Sequence, residues 1–261
     1  MIKFFRRIRQ RLLAENKFSK YILYAIGEII LVVIGILIAL SINNNNEDRK
    51  ARNQEIKYLK NLQADIILEF KNNDSIINYR AITAKAAARI LNFKTLEIAS
   101  DIITLEYSIQ QVFARQPFVP TNNTYKELLS SGNLNYITND SIKDYLLELD
   151  KMYVYISSKE DHMYREYEEY LYNVIVKNGE ALNLLDIQKT ATTGLLSFAN
   201  SSQISVTTVI PEYNRLLRKN EFKNGLKLSV MNNVGLKNMH DEMTTHLQKL
   251  NELIQDDLSK D

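Results

Sequence analysis

Residues Tyr21 to Ile42 (YILYAIGEIILVVIGILIALSI) form one unbroken apolar stretch, and no later part of the chain is as hydrophobic. At about 1.5 Å of rise per residue, these 22 residues make a helix of roughly 33 Å, enough to cross a hydrocarbon core of about 30 Å. The expectation is a single transmembrane helix over 21–42. Glu28 is the one formal charge inside it. Fourteen Ile, Leu and Val side chains contribute about −4 to −8 kcal/mol to insertion, against at most about +3 kcal/mol for a central carboxylate, so the segment inserts. Glu28 reads either as a charge tolerated near the interface or as a carboxylate facing a partner helix or a proton path. Gly27 and Gly35 lie eight residues apart on nearly one helix face and leave room for close contact, although they lack the GxxxG spacing. Gly27, Glu28 and Gly35 are therefore the candidate membrane-partner residues, and a homo-oligomer through that face is one outcome they allow.

The flanks set the orientation. The first 20 residues carry Lys3, Arg6, Arg7, Arg9, Arg11, Lys17 and Lys20 against Glu15 alone; after the span come Arg49, Lys50, Arg52, Lys57 and Lys60, diluted by Glu47, Asp48 and Glu55. The positive-inside bias then expects the N-terminus in the cytoplasm and residues 43–261 outside, which in a Gram-negative cell is the periplasm. Ala39-Leu40-Ser41 resembles a small-x-small cleavage site. The apolar region is nevertheless longer than a cleaved signal's and begins after a 20-residue tail, which favours a retained signal-anchor. Within that tail Ile2, Phe4, Phe5, Ile8, Leu12 and Leu13 interleave with the cations. Residues 1–20 therefore suit a short amphipathic segment on the anionic inner leaflet.

Beyond the span, 219 of the 261 residues remain, enough for a real core. The 33 Lys and Arg are matched by 31 interspersed Asp and Glu, which leaves no electrostatic case for nucleic acid. With no cysteine, disulfides, thiolate metal sites and a lipoprotein anchor are excluded.

Helical periodicity dominates this region. Asn43 to Asn46 form a polar break, after which Leu59, Leu62, Ile66, Phe70, Ile77, Ala81, Ala84, Ala88 and Leu91 recur at three, four and seven. That spacing predicts a long amphipathic helix over 47–92; the asparagines either end the span helix or mark where it leaves the lipid, which leaves continuity with the span open. A second helix is expected from about Thr95 to Gln116, stopped by Pro117 and Pro120. Thr124-Tyr-Lys-Glu127 reads as a capping box and Gly132 as a left-handed C′ residue. Asn133 to Ile137 reads as a short extended link, and Asn139-Asp140-Ser141 as the start of a helix reaching about Asn178, ended by Gly179. Further helices are expected over Ala181–Asn200, Pro211–Phe222 with Pro211 in its first turn, and Gly225–Ser259. The fold class is all-α: one N-terminal transmembrane helix followed by a long-helix bundle.

Chemistry is sparsely signalled. The sequence holds no Gly-rich phosphate loop, no G-x-S-x-G elbow and no HExxH. His240 and His246 flank Glu242, but His240 points away from the other two; surface histidines are the default, and no metal or cofactor is expected. Glu166, Glu168 and Glu169 read as a solvated face. The tyrosines are more unusual: Tyr145, Tyr153, Tyr155, Tyr164, Tyr167, Tyr170 and Tyr172 crowd one helical region. Tyr153, Tyr164, Tyr167 and Leu171, with Leu149, Ile156 and Val174, fall at core-compatible spacing. The remainder includes Tyr155, Tyr170 and Tyr172 as candidates for a partner face, since the ring supplies contact area and the hydroxyl a polar handle.

The opening Phe4-Phe-Arg-Arg through Tyr21, the span Tyr24-Ala-Ile-Gly-Glu28 to Leu40, and Thr124-Tyr-Lys-Glu-Leu-Leu-Ser-Ser-Gly-Asn-Leu134 resemble a family of uncharacterised single-pass bacterial membrane proteins, described only as a domain of unknown function. The resemblance is close over the first 50 residues and looser through about residue 150. It implies the topology and the helical fold, and it assigns no catalytic residue. It also implies a tryptophan just after the span, where this chain has Asn45. The functional expectation is a non-enzymatic, membrane-anchored interaction or scaffold module with a protein partner. The alternative is a helical-bundle ligand sensor that relays through a membrane partner, because 20 cytoplasmic residues cannot house a signalling domain.

Overall fold

The structure is a computed structural model that describes residues 18–178 and 206–260, and every element among them is helical. The elements are α1 (Phe18–Asn92), α2 (Ala99–Phe113), α3 (Asn123–Ser130), a 3₁₀ turn (Asn133–Tyr136), α4 (Asp140–Tyr167), a π-helical turn (Glu168–Tyr172), α5 (Asn173–Asn178), α6 (Val206–Arg218) and α7 (Asn220–Leu258). Two compact units are distinguished, Met1–Lys57 and Tyr58–Asp261. Residues 1–17 of the expected 1–20 tail, the end at Gly179 and the helix over Ala181–Asn200 lie outside the described residues.

In the first unit, α1 passes through Asn43–Asn46 without a break. The asparagines change polarity and leave the backbone helical, with Arg49 Nη2 donating to Asn46 Oδ1 at 3.4 Å and Lys50 paired with Glu47 at 2.9 Å. From Ile22 to Ile42 the large aliphatic side chains stand exposed, between 43% at Ile22 and 76% at Leu23. A continuous apolar surface of that size is unsuited to water, and this helix is long and apolar enough to cross a membrane.

In the second unit, the buried positions of α1 include Leu59, Leu62, Ile66, Glu69, Asn73, Ile76, Arg80, Thr83, Ala87 and Ile90, spaced alternately by three and four, with Tyr58, Ala84 and Ala86 buried beside them. On α7 the same alternation runs Phe222, Leu226, Ser229, Asn233, Leu236, His240, Met243, Leu247, Leu250, Ile254 and Asp257. On α4 it runs Ile142, Leu146, Leu149, Tyr153, Ile156, Glu160 and Met163. Such a seam keeps one face of each helix toward its neighbours. One apolar cluster gathers residues such as Leu59, Leu146 and Leu247, and a second gathers Ala87, Leu105, Phe222 and Leu226. Among the inward positions, polar residues intervene: Glu69, Asn73 and Arg80 of α1, Glu160 of α4, and Asn233 and His240 of α7.

Several helix boundaries depart from expectation for identifiable reasons. Beyond Glu69 the α1 seam passes through Asn73, Ile76 and Arg80, leaving Ile77, Ala81, Ala88 and Leu91 half-buried. Helix α3 starts at Asn123, and Thr124 does not cap it: Asp65 Oδ2 on α1 accepts the Thr124 N–H at 2.7 Å, and Glu69 Oε2 accepts that of Thr121 at 2.7 Å. Asp65 of the neighbouring helix thus does the work of a local cap, while Glu69 holds the chain just before it. Asn133–Tyr136 closes into a 3₁₀ turn where an extended link was expected. Pro211 falls inside α6, which begins earlier, at Val206, and Gly225 lies within α7, which begins at Asn220. Gly132 adopts φ +71° as the left-handed C′ residue, and Asn139 caps α4 by accepting from the Ser141 and Ile142 amides at 3.0 and 3.4 Å.

Candidate functional site

The buried polar layer is organised by Arg80, which is 0% exposed. Its Nη2 is paired with the Glu160 carboxylate and donates to the Gln116 carbonyl at 3.5 Å, while Nη1 donates to Asn233 Oδ1 at 3.3 Å. Glu160 also accepts the Phe118 N–H, at 3.3 and 3.2 Å to its two oxygens. Next along the seam, Asn73 Nδ2 donates to the His240 carbonyl at 2.8 Å and to Thr244 Oγ1 at 2.7 Å. That leaves Asn73 Oδ1 to accept from His240 Nδ1–H at 2.5 Å. His240 is therefore a buried, neutral side chain, contrary to the expectation of a surface histidine. Burial, with the Arg80 charge acting in the same direction, lowers its pKa to about 4. His246 is half-buried as well, its Nε2 at 2.8 Å from the Tyr145 carbonyl and its ring stacked on Tyr145.

Beside Arg80 lies a cavity of about 540 Å³. The reason for it is readable in the seams. After Met163 the π-helical turn adds one residue to α4, so that Leu171 points inward and Tyr170 outward; π turns of this kind are concentrated at functional sites. Opposite, Gly225 of α7 comes so close that a Cβ there would lie 2.7 Å from the Tyr170 carbonyl oxygen. Phe113, Tyr164, Tyr167, Leu171 and Tyr172 supply the aromatic and apolar wall, with Phe113 and Tyr167 edge to face at 5.1 Å between centroids. The polar lining includes Arg80, Thr83, Ser229, Asn232 and Asn233. Arg115 places its guanidinium carbon 4.1 Å over the Tyr164 ring. Two polar atoms of the lining residues are buried without a hydrogen-bond partner in the protein, Arg80 Nε and the Tyr164 hydroxyl.

The expected carboxylate face is divided. Glu166 lines the cavity, accepts from Asn232 Nδ2 at 2.7 Å and meets His162 Nε2 at 3.2 Å; Glu168 also lines it but is exposed, and Glu169 is exposed away from the lining. Of the partner-face tyrosines, Tyr155, Tyr170 and Tyr172 are all exposed, and only Tyr172 belongs to the cavity. Tyr155 lies earlier on α4, under the Lys159 ammonium at 5.2 Å. In the apolar helix, a Cβ at Gly27 or Gly35 would meet nothing within 4 Å, and Glu28 is half-buried. Among the described residues no group of His, Asp and Glu is arranged to hold a metal ion. Sequence reading missed Arg80, Asn233 and Arg115 altogether.

Another buried carboxyl, Glu106, lies beside the other core. Glu106 accepts from the Tyr213 hydroxyl at 3.0 Å, and burial raises its pKa from 4.5 to about 7, with the Tyr213 bond pulling it partly back. In the unfolded chain this carboxyl ionises at its ordinary value. Its contribution to stability is therefore full below pH 4.5 and is lost as pH rises to about 7, a change of about 3 kcal/mol. Glu106→Gln keeps an acceptor for Tyr213 and removes the titration. Urea unfolding of the full chain in detergent at pH 4.5 and 7.5 is expected to show the variant gaining on wild type by about 3 kcal/mol. A difference between the two that is independent of pH would contradict this assignment.

These features define an all-α bundle enclosing a cavity, in a chain whose N-terminal helix is long and apolar enough to cross a membrane. The chain belongs to the family of unknown function DUF6090, whose model matches residues 28–212. The match takes in the apolar helix from Glu28, Arg80, Arg115 and the π turn, and stops before α7. Neither the curated proteins nor the solved structures give a match.

Proposed function

We propose that this chain is a membrane-anchored ligand-binding module, held by its apolar helix in the cytoplasmic membrane with the N-terminus inside and the helical domain outside. The observation that carries the ligand reading is the cavity of about 540 Å³, walled by Phe113, Tyr164, Tyr167 and Leu171 and set with the polar residues Ser229, Asn232 and Asn233. An aromatic wall of ligand-pocket size with a few polar groups favours the sensor reading over the scaffold reading. The charge difference between the flanks of the span supports the orientation. In this reading a membrane partner relays the signal, and Gly27, Glu28 and Gly35 are its candidate contacts.

The test is a thermal-shift screen of the full chain in detergent against mixed small molecules. At a hundred times its Kd, a ligand adds about 2.7 kcal/mol of stability. At least one compound is expected to raise the melting temperature of wild type and to lose that effect in Leu228→Trp, which fills the cavity wall. No shift with any compound, or equal shifts in both proteins, would defeat the ligand reading. A C-terminal reporter active only in the cytoplasm would overturn the orientation.

A further inference from the structure

Resting on the membrane-span part of that reading, and on neither the cavity nor the orientation, we infer that α1 carries a phospholipid site where it leaves the bilayer. Arg49 and Asn46 receive the headgroup phosphate, and Ala39 and Ile42 lie along an acyl chain. A groove on α1 is lined, in chain order, by Ala39, Ile42, Asn43, Asn45, Asn46 and Arg49. Apolar side chains stand at one end, amides in the middle and a guanidinium at the other. Acyl chain, glycerol ester and phosphate follow one another in the same order in a phospholipid. The lengths agree as well: the four asparagines, Asn43 to Asn46, rise about 6 Å, and one headgroup layer is about 5–8 Å thick.

Arg49 is aimed at that layer. Side chains on a helix lean toward its N-terminus, here toward the bilayer, and Arg49 Nη2 donates to Asn46 Oδ1 at 3.4 Å, one turn back. Asn46 keeps its Nδ2 group to donate in turn. Charge singles out Arg49 among the cations that follow the span. Lys50 is paired with Glu47 at 2.9 Å and Arg52 with Glu55 at 2.7 Å, whereas Arg49 has no carboxylate within ion-pair distance among the described residues. An exposed, unpaired guanidinium is matched by a phosphate, which it can meet with two parallel N–H bonds. The apolar end of the groove selects a lipid over free phosphate, because Ile42 is 66% exposed and a small hydrated anion would cover none of it.

The test is native mass spectrometry of the full chain in detergent, titrated with dioleoylphosphatidylglycerol or with dioleoylglycerol, which has the same chains and no phosphate. The phospholipid is expected to bind, and the diacylglycerol to bind about fivefold more weakly or not at all. Arg49→Gln should weaken the phospholipid about fivefold. Lys50→Gln, the same change of charge on a neighbour already paired with Glu47, should leave it unchanged. Glycerophosphate, which lacks the chains, should not displace the lipid.

Equal binding of the two lipids, or an unchanged affinity in Arg49→Gln, overturns the site. An equal loss in Lys50→Gln shows diffuse charge attraction and overturns it too, and displacement by glycerophosphate assigns the groove to a soluble phosphate instead of a lipid. Alkaline carbonate extraction of cell membranes tests the span separately. Wild type released by carbonate overturns the span and the site together, whereas a chain retained in the membrane without preference for the phospholipid overturns the site alone.

Discussion

Replacing Glu160 with alanine is expected to cost the fold about 3–5 kcal/mol, as removing one partner of a buried ion pair does. The Arg80 side chain is 0% exposed and that of Glu160 is 5% exposed, so neither charge has water to fall back on. Without Glu160, the guanidinium keeps the Asn233 Oδ1, the Gln116 carbonyl and the Met163 sulfur as neutral acceptors and the Tyr79 ring face, and the Phe118 N–H loses its acceptor. A paired substitution separates the worth of the bridge from the penalty of breaking it. Arg80→Met with Glu160→Gln removes both charges, keeps an acceptor for Phe118 and fills similar volume. That double variant should lose less than half of what Glu160→Ala loses, because a buried pair gains little over apolar groups once its desolvation is counted. Urea unfolding of the full-length proteins in detergent measures both. A loss below about 1 kcal/mol for Glu160→Ala would mean that water reaches the pair, and the buried polar layer would have to be redrawn.

The same layer explains which parts of the fold were legible in the sequence. Where the seam of α1 is apolar, at Leu59, Leu62 and Ile66, periodicity locates it correctly. Where it turns polar, at Glu69, Asn73 and Arg80, a rule that assigns polar residues outward follows the nearest aliphatics, Ile77, Ala81, Ala88 and Leu91, and slips by one position, while Ala84 is buried as expected. The strict three-four spacing was present throughout, but hydrophobicity carried only half of it. His240 was misplaced for the same reason, since its burial depends on Asn73, 167 residues away in sequence. Capping suffered similarly: Asn139 acts through its own next residues and is visible locally, whereas Thr124 is served by Asp65 from another helix. The tyrosine cluster was legible as chemistry and not as geometry, because the π turn decides which of its members face the cavity.

Gly225 gives the second large effect, and its sign is set by packing against propensity. In an exposed helix interior, glycine to alanine gains about 1 kcal/mol. At Gly235 of α7 a Cβ would meet nothing within 4 Å, and Gly235→Ala should stabilise the protein by about 0.5–1 kcal/mol. At Gly225 of the same helix, the added carbon would lie 2.7 Å from the Tyr170 carbonyl oxygen, 2.8 Å from Leu171 Cδ2 and 2.9 Å from Leu171 Cγ. Leu171 is 1% exposed, and the nearest contact, the Tyr170 carbonyl, is backbone that cannot rotate aside. The helix must therefore move off the π turn, at a cost of about 1–3 kcal/mol from overpacking. Gly225→Ala is expected to end up neutral to about 2 kcal/mol destabilised, and Gly225→Val about 3 kcal/mol or more destabilised, because it brings further carbons and loses helix propensity. Both changes also widen the gap that Arg80, Leu171 and Ser229 border, so any cavity-dependent ligand should bind more weakly to Gly225→Ala than to Gly235→Ala. If the two alanine variants prove equally stable and bind alike, α7 does not press against the π turn, and the cavity is not shaped by that contact.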